Sequence, residues 1–419
     1  MTTTDAAAAL TVQQLGRDDR TEIDELHQWV WSSTDDMTEE EYSGMEWDRT
    51  AGARVQGALA GIYSAFSLQM SVPGGQVPVS GLTWVGVHPQ HRRKGVLSAM
   101  MAHHFEEVAA RGTEAISVLW AAEPAIYGRF GYGLAANALR LTIARGALLR
   151  DVPGTEGLTV RFENAEVAKH TDLVNQCYEE YRREHPGAVS RGLRGRAEQM
   201  VADHKSWRDG AERKKILVVQ DAQGRVRAVA LFRRKESWGA TGPAGTVRVV
   251  HANALDAAAA RVLWGSLSDM DLMAKVSTDL RPLDDPLLHL LVDLRKAEVT
   301  LTDSLWLRIL DVPRALTSRT YNGPLDVVLD VRDDRVPANA GLWRLRTGAD
   351  GTAATCERAQ QAQAQLRLDV RDLGSALLGG QSLMALAAAG LVEPLEATAL
   401  ERAARAFGWP VAAFNGSAF

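Results

Sequence analysis

A basic turn that ends in glycine contains the residue types that point most directly to chemistry in this sequence. Its charged members and its glycine are Arg92, Arg93, Lys94 and Gly95. The turn follows an apolar run from Leu82 to Val87, which predicts a buried strand, and precedes a helical pattern from Ser98 to Arg111. Helix N-termini carry unpaired N–H groups and partial positive charge, so a phosphate group suits this turn. An ordinary exposed basic turn before a surface helix is the alternative that these residues alone leave open.

The spacing of these residues excludes two common phosphate-binding motifs and matches a third. The Walker loop and the dinucleotide fingerprint both need glycines that are absent here. The sequence resembles the acetyl-CoA motif of the GCN5-related N-acetyltransferases (GNAT), Arg/Gln-x-x-Gly-x-Gly/Ala. Arg92 and Gly95 match this pattern, and Leu97 replaces its last small residue. With Ile126 to Gly133 downstream and Phe419 at the end, the resemblance narrows to the Eis-type acetyltransferases and extends over the whole chain.

The resemblance implies acetyl-CoA as cosubstrate and assigns the residues that contact it. They comprise a strand whose backbone N–H groups meet the acetyl carbonyl, the basic turn with the start of its helix, and two residues after the next strand. These residues are Val85, Gly86, Val87, Arg92, Arg93, Lys94, Gly95, Val96, Leu97, Ser98, Ala122 and Glu123. The family usually has serine where this chain has Ala122, so that contact falls to the backbone. No metal site is predicted, because the adjacent His103 and His104 face different ways on a helix.

Transfer of an acetyl group to an amine needs an acid for the leaving thiolate and a base for the amine. The resemblance assigns the acid to Tyr127, and a phenol with a pKa of ~10 keeps its proton at neutral pH. Tyr132 competes for this role, and packing in a glycine-rich turn is the alternative for Tyr127. The resemblance assigns the base to the terminal carboxylate, here on Phe419, and direct transfer in a ternary complex is expected. From the sequence alone, a frayed end is the alternative for Phe419.

The segment from Asp35 to Asp48 is acidic, with methionines and aromatic residues interleaved. This pattern favours an amphipathic helix with a solvated acidic face. The alternative is a pocket wall for a cationic amine, with Asp35, Asp36 and Glu39 as binding acids. Trp84 follows the position of an aromatic pocket residue in the family that this sequence resembles, and structural burial is the alternative for it. The resemblance implies N-acetylation of small polycationic molecules such as aminoglycosides. Acetylation of protein lysines and a non-catalytic acyl-CoA-binding or lipid-binding role are the two alternatives.

Elements with clear periodicity must position these residues. The expected order for the first unit is helices, then antiparallel strands, then the phosphate helix. Helices are predicted from Asp18 to Trp31 in this unit and from Ala397 to Phe407 near the end of the chain. The predicted strands of this unit are Arg54–Tyr63, Ala65–Val72, Ala115–Trp120 and Asn137–Ala144. A further strand is predicted from Lys215 to Gln220.

The resemblance implies an α/β (α+β) fold: tandem GCN5-related acetyltransferase folds followed by a sterol carrier protein-like domain. Three segments follow, with a catalytic unit at 1–150, a second, degenerate unit at 155–300, and the carrier-like domain at 301–419. The second unit's turn before its helix lacks glycine and arginine and contains Asp256, a good helix N-cap. This unit is therefore predicted to bind no acetyl-CoA. The resemblance also implies a homohexamer.

Composition limits the kinds of partner and the cellular location that the sequence allows. The chain has 419 residues and a net charge of -5, which argues against a general nucleic-acid binder. Only two cysteines occur, which fits a reducing cytoplasm and gives no disulfide framework. No signal peptide and no membrane-spanning apolar run are expected. A cytoplasmic protein with a small-molecule partner, and no nucleic-acid or membrane partner, is predicted.

Overall fold

A computed structural model describes residues 10–417 and 419, and its main feature is one 12-stranded sheet. A separate five-stranded sheet lies near the C-terminus, and a two-stranded hairpin completes the strand pairing of the described residues. None of the helices in those residues is both long and apolar enough to cross a membrane.

The first unit follows the predicted order of helices and strands. Its elements are β1 Leu10–Gln14, α1 Arg20–Trp31, α2 Glu39–Ser43, β2 Thr50–Val55, β3 Ala58–Val72, β4 Gly75–Val87, α3 Val96–Arg111, β5 Ile116–Leu119, α4 Pro124–Tyr127 and β6 Gly133–Ala144. The two strands predicted between residues 54 and 72 are displaced, since the chain reverses at Gln56-Gly57 and then runs unbroken through β3. Strand β4 ends at Val87, two residues before Pro89, which has no N–H to donate to a strand partner.

The β4 strand has two irregularities that matter for the site. Its register with β3 shifts by one residue between Thr83 and Gly86, so two residues of β4 oppose Tyr63 alone. Trp84, one of these two, has a φ of 54°. On its other side, β4 pairs with β5 only over Ser80–Leu82. Beyond Leu82 the two strands separate, and that edge of β4 has no strand beside it.

The second unit continues the same sheet. Its elements are β7 Thr159–Asn164, α5 Val167–Arg182, α6 Arg194–Val201, β8 Lys215–Gln220, β9 Val226–Lys235, β10 Trp238–Gly239, β11 Gly242–Pro243, β12 Gly245–Ala254, α7 Ala257–Ser268, β13 Met273–Arg281, α8 Pro286–Leu290 and β14 Ala297–Ile309. The predicted N-cap is confirmed, because the Asp256 carboxylate accepts the N–H of Ala259 at 2.8 Å. Strand β7 was not predicted, because most of its residues are exposed and apolar alternation is weak.

Strand β14 joins the two units by insertion. It lies between β5 and β6, antiparallel to both, while β6 pairs on its other edge with β13. The predicted division at residue 301 falls inside this strand. Its alternating Leu305, Leu307 and Ile309 are fully buried beneath the third unit. The first two units therefore share strands and cannot separate without breaking sheet hydrogen bonds.

The third unit packs its own small sheet and helices against this strand. Its elements are α9 Val312–Thr317, β15 Asp326–Arg332, β16 Gly341–Arg346, β17 Thr355–Arg358, β18 Leu366–Asp369, α10 Val370–Ala376, α11 Leu383–Ala388, β19 Val392–Pro394 and α12 Ala397–Phe407. The last helix agrees with its predicted bounds, Ala397 to Phe407. A buried ion pair joins the two sheets, because Arg308 of β14 donates to both carboxylate oxygens of Asp333 at 2.7 and 2.8 Å.

The segment after α12 returns to the other two units. The N–H of Phe414 donates to the carbonyl of Pro186 at 2.8 Å, and the Phe414 ring is buried. The Ser304 hydroxyl donates to the carbonyl of Asn415 at 3.1 Å. Ala412 donates its N–H to the Asp284 carboxylate at 2.8 Å. These bonds hold the tail against the loop after α5, strand β14 and the loop after β13, so it is not frayed up to Ser417.

Candidate active site

The predicted phosphate turn is a row of backbone donors without acceptors. The N–H groups from Arg93 to Ser98 make no hydrogen bond within residues 10–417 and 419. Left-handed backbone at Arg93 (φ 61°) and Gly95 (φ 84°) turns the chain into α3. Successive N–H groups in such a turn form an anion-binding concavity at the positive end of a helix dipole. The cradle therefore fits the pyrophosphate of coenzyme A.

The side chains around this cradle are free to reach an anion. Arg92, Arg93 and Lys94 are exposed, and their side chains form no ion pair with any described residue. Val96 is buried in the core, Leu97 is half-buried and Ser98 is exposed. A Cβ added at Gly95 would meet no atom within 4 Å, so the approach to this point is open.

The predicted strand residues lie at the separated edge. Val85 and Val87 are half-buried and Gly86 is buried against α1, where a Cβ would clash with Val30 and Trp31. Ala122 and Glu123 are exposed residues just after β5, on the opposite side of the gap. The cofactor residues predicted on β4, on α3 and after β5 thus surround one opening between β4 and β5.

The two tyrosines near this opening differ in what their hydroxyl groups contact. The Tyr132 hydroxyl is buried and bonded to Ser117 at 2.7 Å, and Ser117 is bonded to His104 at 3.0 Å. The Tyr127 hydroxyl has no hydrogen-bond partner in the described part of the chain, and its ring meets Tyr132 edge-on at 6.0 Å. Burial, followed by the negative charge of Glu123, raises the pKa of Tyr127 to about 12. Only Tyr127 has a hydroxyl available to a ligand.

The tail brings Phe419 to the other face of β4. Its ring lies 3.1 Å from the position that a Cβ on Gly81 would occupy, and it packs against the core beneath the third unit. Tyr127 packs instead with the cluster that contains Leu82. Consecutive strand residues point to opposite faces, so Tyr127 and Phe419 approach the β4–β5 opening from opposite sides.

A pocket of about 430 Å³ contains Phe419 and the predicted Trp84. Its apolar wall is formed by Met45, Phe66, Met200, Val250 and the aromatic rings of Trp84, Trp207 and Phe419. It adjoins a cavity of about 590 Å³ that shares Trp207, Arg233 and Val250. A cavity of about 970 Å³ on the third unit is larger but contains no residue of this site.

The three acids proposed as amine ligands lie outside this pocket. Glu39 is exposed and pairs with Arg20 at 2.8 Å, and Asp36 accepts a hydrogen bond from Gln28 at 3.0 Å. Asp35 is exposed as well. The long amphipathic helix expected here is wrong: α2 spans only Glu39–Ser43, because a Thr38 capping box begins it and Gly44 ends it. Glu41 is the acidic side chain of this segment that reaches the pocket.

Sequence reasoning missed the basic residues that the second unit adds to the pocket. They are Arg191, Arg196, Lys214 and Arg233. Burial lowers the pKa of Arg196 to about 10 and that of Lys214 to about 8. No motif marks these residues, since they come from two loops, a helix and a strand far from the cofactor motif.

The described residues contain no group of three histidine, cysteine, aspartate or glutamate side chains placed to hold a metal ion. Cys177 and Cys356 are both free and buried. Cys177 lies on α5, and burial raises the pKa of its thiol to about 12.

Comparison with known families agrees with the architecture. A model described as an acetyltransferase (GNAT) domain matches residues 11–135, and a second model of the same description matches residues 187–309. A sterol carrier protein domain model matches residues 312–415. The fold and the N–H cradle thus define an acetyl-CoA-dependent N-acetyltransferase with two GNAT folds and a sterol carrier protein-like domain, as the sequence predicted.

Individual relatives narrow the class. An uncharacterised N-acetyltransferase of Streptomyces avermitilis is 42% identical over 371 residues, which is 88% of each chain. The N-acetyltransferase Eis of Mycobacterium tuberculosis is 33% identical over 367 residues, 85% of each chain. The crystal structure of Eis1 from Mycobacterium abscessus superposes with a TM-score of 0.82 at 28% identity, covering 98% of this chain and all of that one. The chain belongs to the Eis-type N-acetyltransferases.

Proposed function

We propose that this enzyme acetylates a primary amine of a small molecule by direct transfer within a ternary complex. The Phe419 carboxylate accepts a proton from the amine, and Tyr127 donates one to the departing sulfur. The observation that carries the proposal is that Phe419 lines a pocket on the face of β4 opposite Tyr127. A pocket of about 430 Å³ suits a small molecule, with Trp84 forming part of its wall.

The proton transfers follow from the ionisation states of these groups. Acetyl-CoA supplies the acetyl group as a thioester. The unpaired edge of β4 at Val85–Val87 orients the acetyl carbonyl, and the N–H groups from Arg93 to Ser98 hold the pyrophosphate. Phe419 takes a proton from the substrate ammonium, which frees the nitrogen lone pair. As the carbon–sulfur bond breaks, Tyr127 protonates the sulfur, and the nitrogen releases its remaining extra proton to solvent.

The weak basicity of a carboxylate is offset by the charges around the amine. A terminal carboxylate has a pKa of ~3.5, far below that of an alkylammonium. Arg196 and Lys214 lie in the same pocket, and positive neighbours lower the pKa of an amine. A lower amine pKa leaves more of the substrate as the free base, so less deprotonation is required of a weak base such as this carboxylate.

Adding one alanine after Phe419 tests the role of the terminal carboxylate. We expect the appended residue to displace the charge and lower kcat at least tenfold, with unchanged acetyl-CoA affinity. Phe419→Leu is the matched control, because it keeps the carboxylate in place and removes only ring contacts. Thiol release with acetyl-CoA and an amine measures turnover, and calorimetry measures acetyl-CoA binding. Unchanged kcat in the extended chain would exclude the carboxylate as base.

Aminoglycosides are the first acceptors to assay, because the resemblance implies them. Mass spectrometry of the product counts the acetyl groups on each molecule and distinguishes small-molecule transfer from acetylation of protein lysines. A homohexamer, also implied by the resemblance, is tested by light scattering of the purified protein.

A further inference from the structure

The pocket beside Phe419 is lined mainly by positive charge. Four basic side chains from the second unit contribute to it, and Glu41 is the acidic side chain among its lining residues. Phe419, which also lines the pocket, carries the terminal carboxylate. A polycation entering this space meets repulsion from most of the charged lining. The charge distribution therefore disfavours a polycationic substrate, whichever way its amine is oriented.

Three of the four basic side chains have no ion-pair partner within 4 Å in the described chain. Arg233 is neutralised by Asp203 at 2.8 Å. Lys214 instead donates to the carbonyls of Met200 and Ala202. Neutral acceptors give these charges hydrogen bonds but no compensating charge.

Arg191 has neutral partners as well. It donates to the Asn175 side-chain oxygen at 3.3 Å and to His251 Nε2 at 3.1 Å. Burial and the nearby arginines hold the pKa of His251 well below its usual range, so this imidazole is neutral. The Arg191 Nε has no partner in the described structure, although the side chain is only 3% exposed.

Arg196 is the basic residue closest to the tail. Its guanidinium stacks 4.0 Å from the centre of the Phe66 ring and lies 5.9 Å from that of the Phe419 ring. The residue is 8% exposed, and its Nη1 has no hydrogen-bond partner among the described residues. A buried charged donor left without an acceptor is destabilising. An oxyanion in the pocket would satisfy it.

The other acids nearby are already committed to partners. Glu46 accepts the N–H of Ser67 at 2.9 Å and lies 3.6 Å from Arg49. Asp203 pairs with Arg208 at 2.9 Å as well as with Arg233. Glu179, which attracts Arg191, pairs with Arg182 at 2.7 Å. The acids that remain for the three buried cations are Glu41, which also accepts the N–H of Thr38 at 2.7 Å, and the chain's own terminal carboxylate.

We infer that the acceptor amine carries an anionic group, a carboxylate or another oxyanion, and that Arg196 and Lys214 bind it. The inference rests on the proposed function for the place of the amine, beside Phe419, and adds the class of substrate. Between the two ends the pocket offers Met45, Phe66 and Trp84, which suit an apolar or aromatic spacer. Arg191 extends the positive surface behind Arg196.

Three amines with one skeleton test this charge preference. They are 4-(aminomethyl)benzoate, 4-methylbenzylamine and p-xylylenediamine, whose para groups are anionic, neutral and cationic. We expect kcat/KM, from thiol release with acetyl-CoA, to be highest for the benzoate and lowest for the diamine, with kanamycin below the benzoate. A diamine or kanamycin turned over as well as the benzoate would overturn the inference and leave acetyl transfer intact.

Arg196→Gln tests the residue. It should lower kcat/KM for the benzoate about tenfold or more beyond any loss that the benzoate shares with the methyl compound, whereas a role in lowering the amine pKa or in positioning the terminal carboxylate would lower both equally. Arg194→Gln, on the exposed side of the same helix, is the matched control and should change neither. If Arg196 only holds the Phe419 carboxylate, its loss lowers all three rates equally, and the inference is wrong.

A binding measurement keeps the two proposals separable. Calorimetry with 4-methylbenzoate, which has the anion but no amine, should show binding that Arg196→Gln and Lys214→Met each weaken. Circular dichroism and acetyl-CoA binding verify that both variants fold. If all three amines fail to react while 4-methylbenzoate binds, the proposed function fails and the anion site stands. Absence of 4-methylbenzoate binding to the wild-type enzyme would overturn the anion site.

Discussion

At the scale of single residues, burial determines which of two similar tyrosines can act as an acid. Tyr132 is the more buried, and its hydroxyl is hydrogen-bonded to Ser117, which is in turn bonded to His104. Burial lowers the pKa of His104 to about 3, so that chain stays neutral and structural at working pH. Tyr127 keeps its hydroxyl free, and the sequence alone left both residues open.

Replacement of Tyr127 by phenylalanine should lower kcat by about 100-fold or more, the usual contribution of a general acid. Acetyl-CoA affinity should stay constant, because the phenol does not contact the pyrophosphate cradle. With a pKa of about 12, the phenol holds its proton up to high pH, so kcat should show no falling limb below pH 11. Rapid thiol-release assays across pH measure this.

Tyr132→Phe is the paired control. It should retain kcat and lose about 1 kcal/mol of stability through the missing buried hydrogen bond. Equal loss of kcat in both variants would mean that Tyr127 acts through packing and not through its proton.

The charge of Lys214 makes anion binding dependent on pH. Burial, then repulsion from Arg233, lowers the pKa of this lysine to about 8, whereas Arg191 and Arg196 titrate near about 10. Lys214 is therefore charged below pH 8 and neutral above it. The affinity for 4-methylbenzoate should fall between pH 7 and pH 9, while the benzoate itself keeps a constant charge. In Lys214→Met the affinity for 4-methylbenzoate should be lower than in the wild type and independent of pH over this range. If the affinity of the variant fell with pH as that of the wild type does, another group would be responsible for the titration.

At the scale of elements, the start of α3 supplies the free N–H groups that bind the cofactor's phosphates, and a glycine is required there. Gly95 and Gly112 bracket α3 with left-handed φ angles of 84° and 68°, and a Cβ at either would meet nothing within 4 Å. Alanine at either position carries the same backbone strain, about 1–2 kcal/mol. Only Gly95 lies in the row of free N–H groups.

Gly95→Ala should therefore weaken acetyl-CoA binding by about tenfold or more, because the methyl group obstructs charge-assisted hydrogen bonds to the phosphates. Gly112→Ala should lose similar stability and bind acetyl-CoA normally. Calorimetric titration of both variants gives the comparison. Equal weakening in the two would mean that strain in α3, and not access to the cradle, sets the affinity.

Local periodicity predicted most of these elements well. The helix over Ala397–Phe407 and the strand over Lys215–Gln220 have the bounds that the residues indicate. The Asp256 cap was also correct because capping depends on neighbouring residues only. The segment from Asp35 to Asp48 failed, since its charge pattern is helical but its backbone is interrupted by Gly44.

At the scale of the whole molecule, the site depends on contacts that no local pattern contains. The insertion of β14 between β5 and β6 joins residues more than 150 positions apart, and the tail after α12 crosses back to reach Gly81 and Arg196. The basic lining of the pocket arises from the second unit, whose sequence lacks the cofactor motif. Family resemblance supplied Phe419 and Tyr127, whereas Arg191, Arg196 and Lys214 required three-dimensional coordinates.

A substitution in the ion pair between Arg308 and Asp333 tests whether the third unit stabilises the packing of its own sheet against β14. Arg308 on β14 has no exposed surface, and its other guanidinium nitrogens lack partners in the described chain, so Asp333 supplies its only countercharge there. Asp333→Asn leaves a buried unpaired charge and should cost about 3–5 kcal/mol of stability.

The exposed carboxylate at the other end of β15 provides the control for that change. Asp326 pairs with Arg344 at 2.7 Å in an exposed position, and Asp326→Asn should cost no more than about 1 kcal/mol. Urea denaturation followed by circular dichroism measures both variants. The third unit leads into the tail, so Asp333→Asn should also loosen Phe419 and lower kcat. Acetyl-CoA is bound by α3 of the first unit, so the stabilisation of that unit by acetyl-CoA should not change. Equal stability of the two variants would show that the sheet of the third unit is held by its apolar contacts alone.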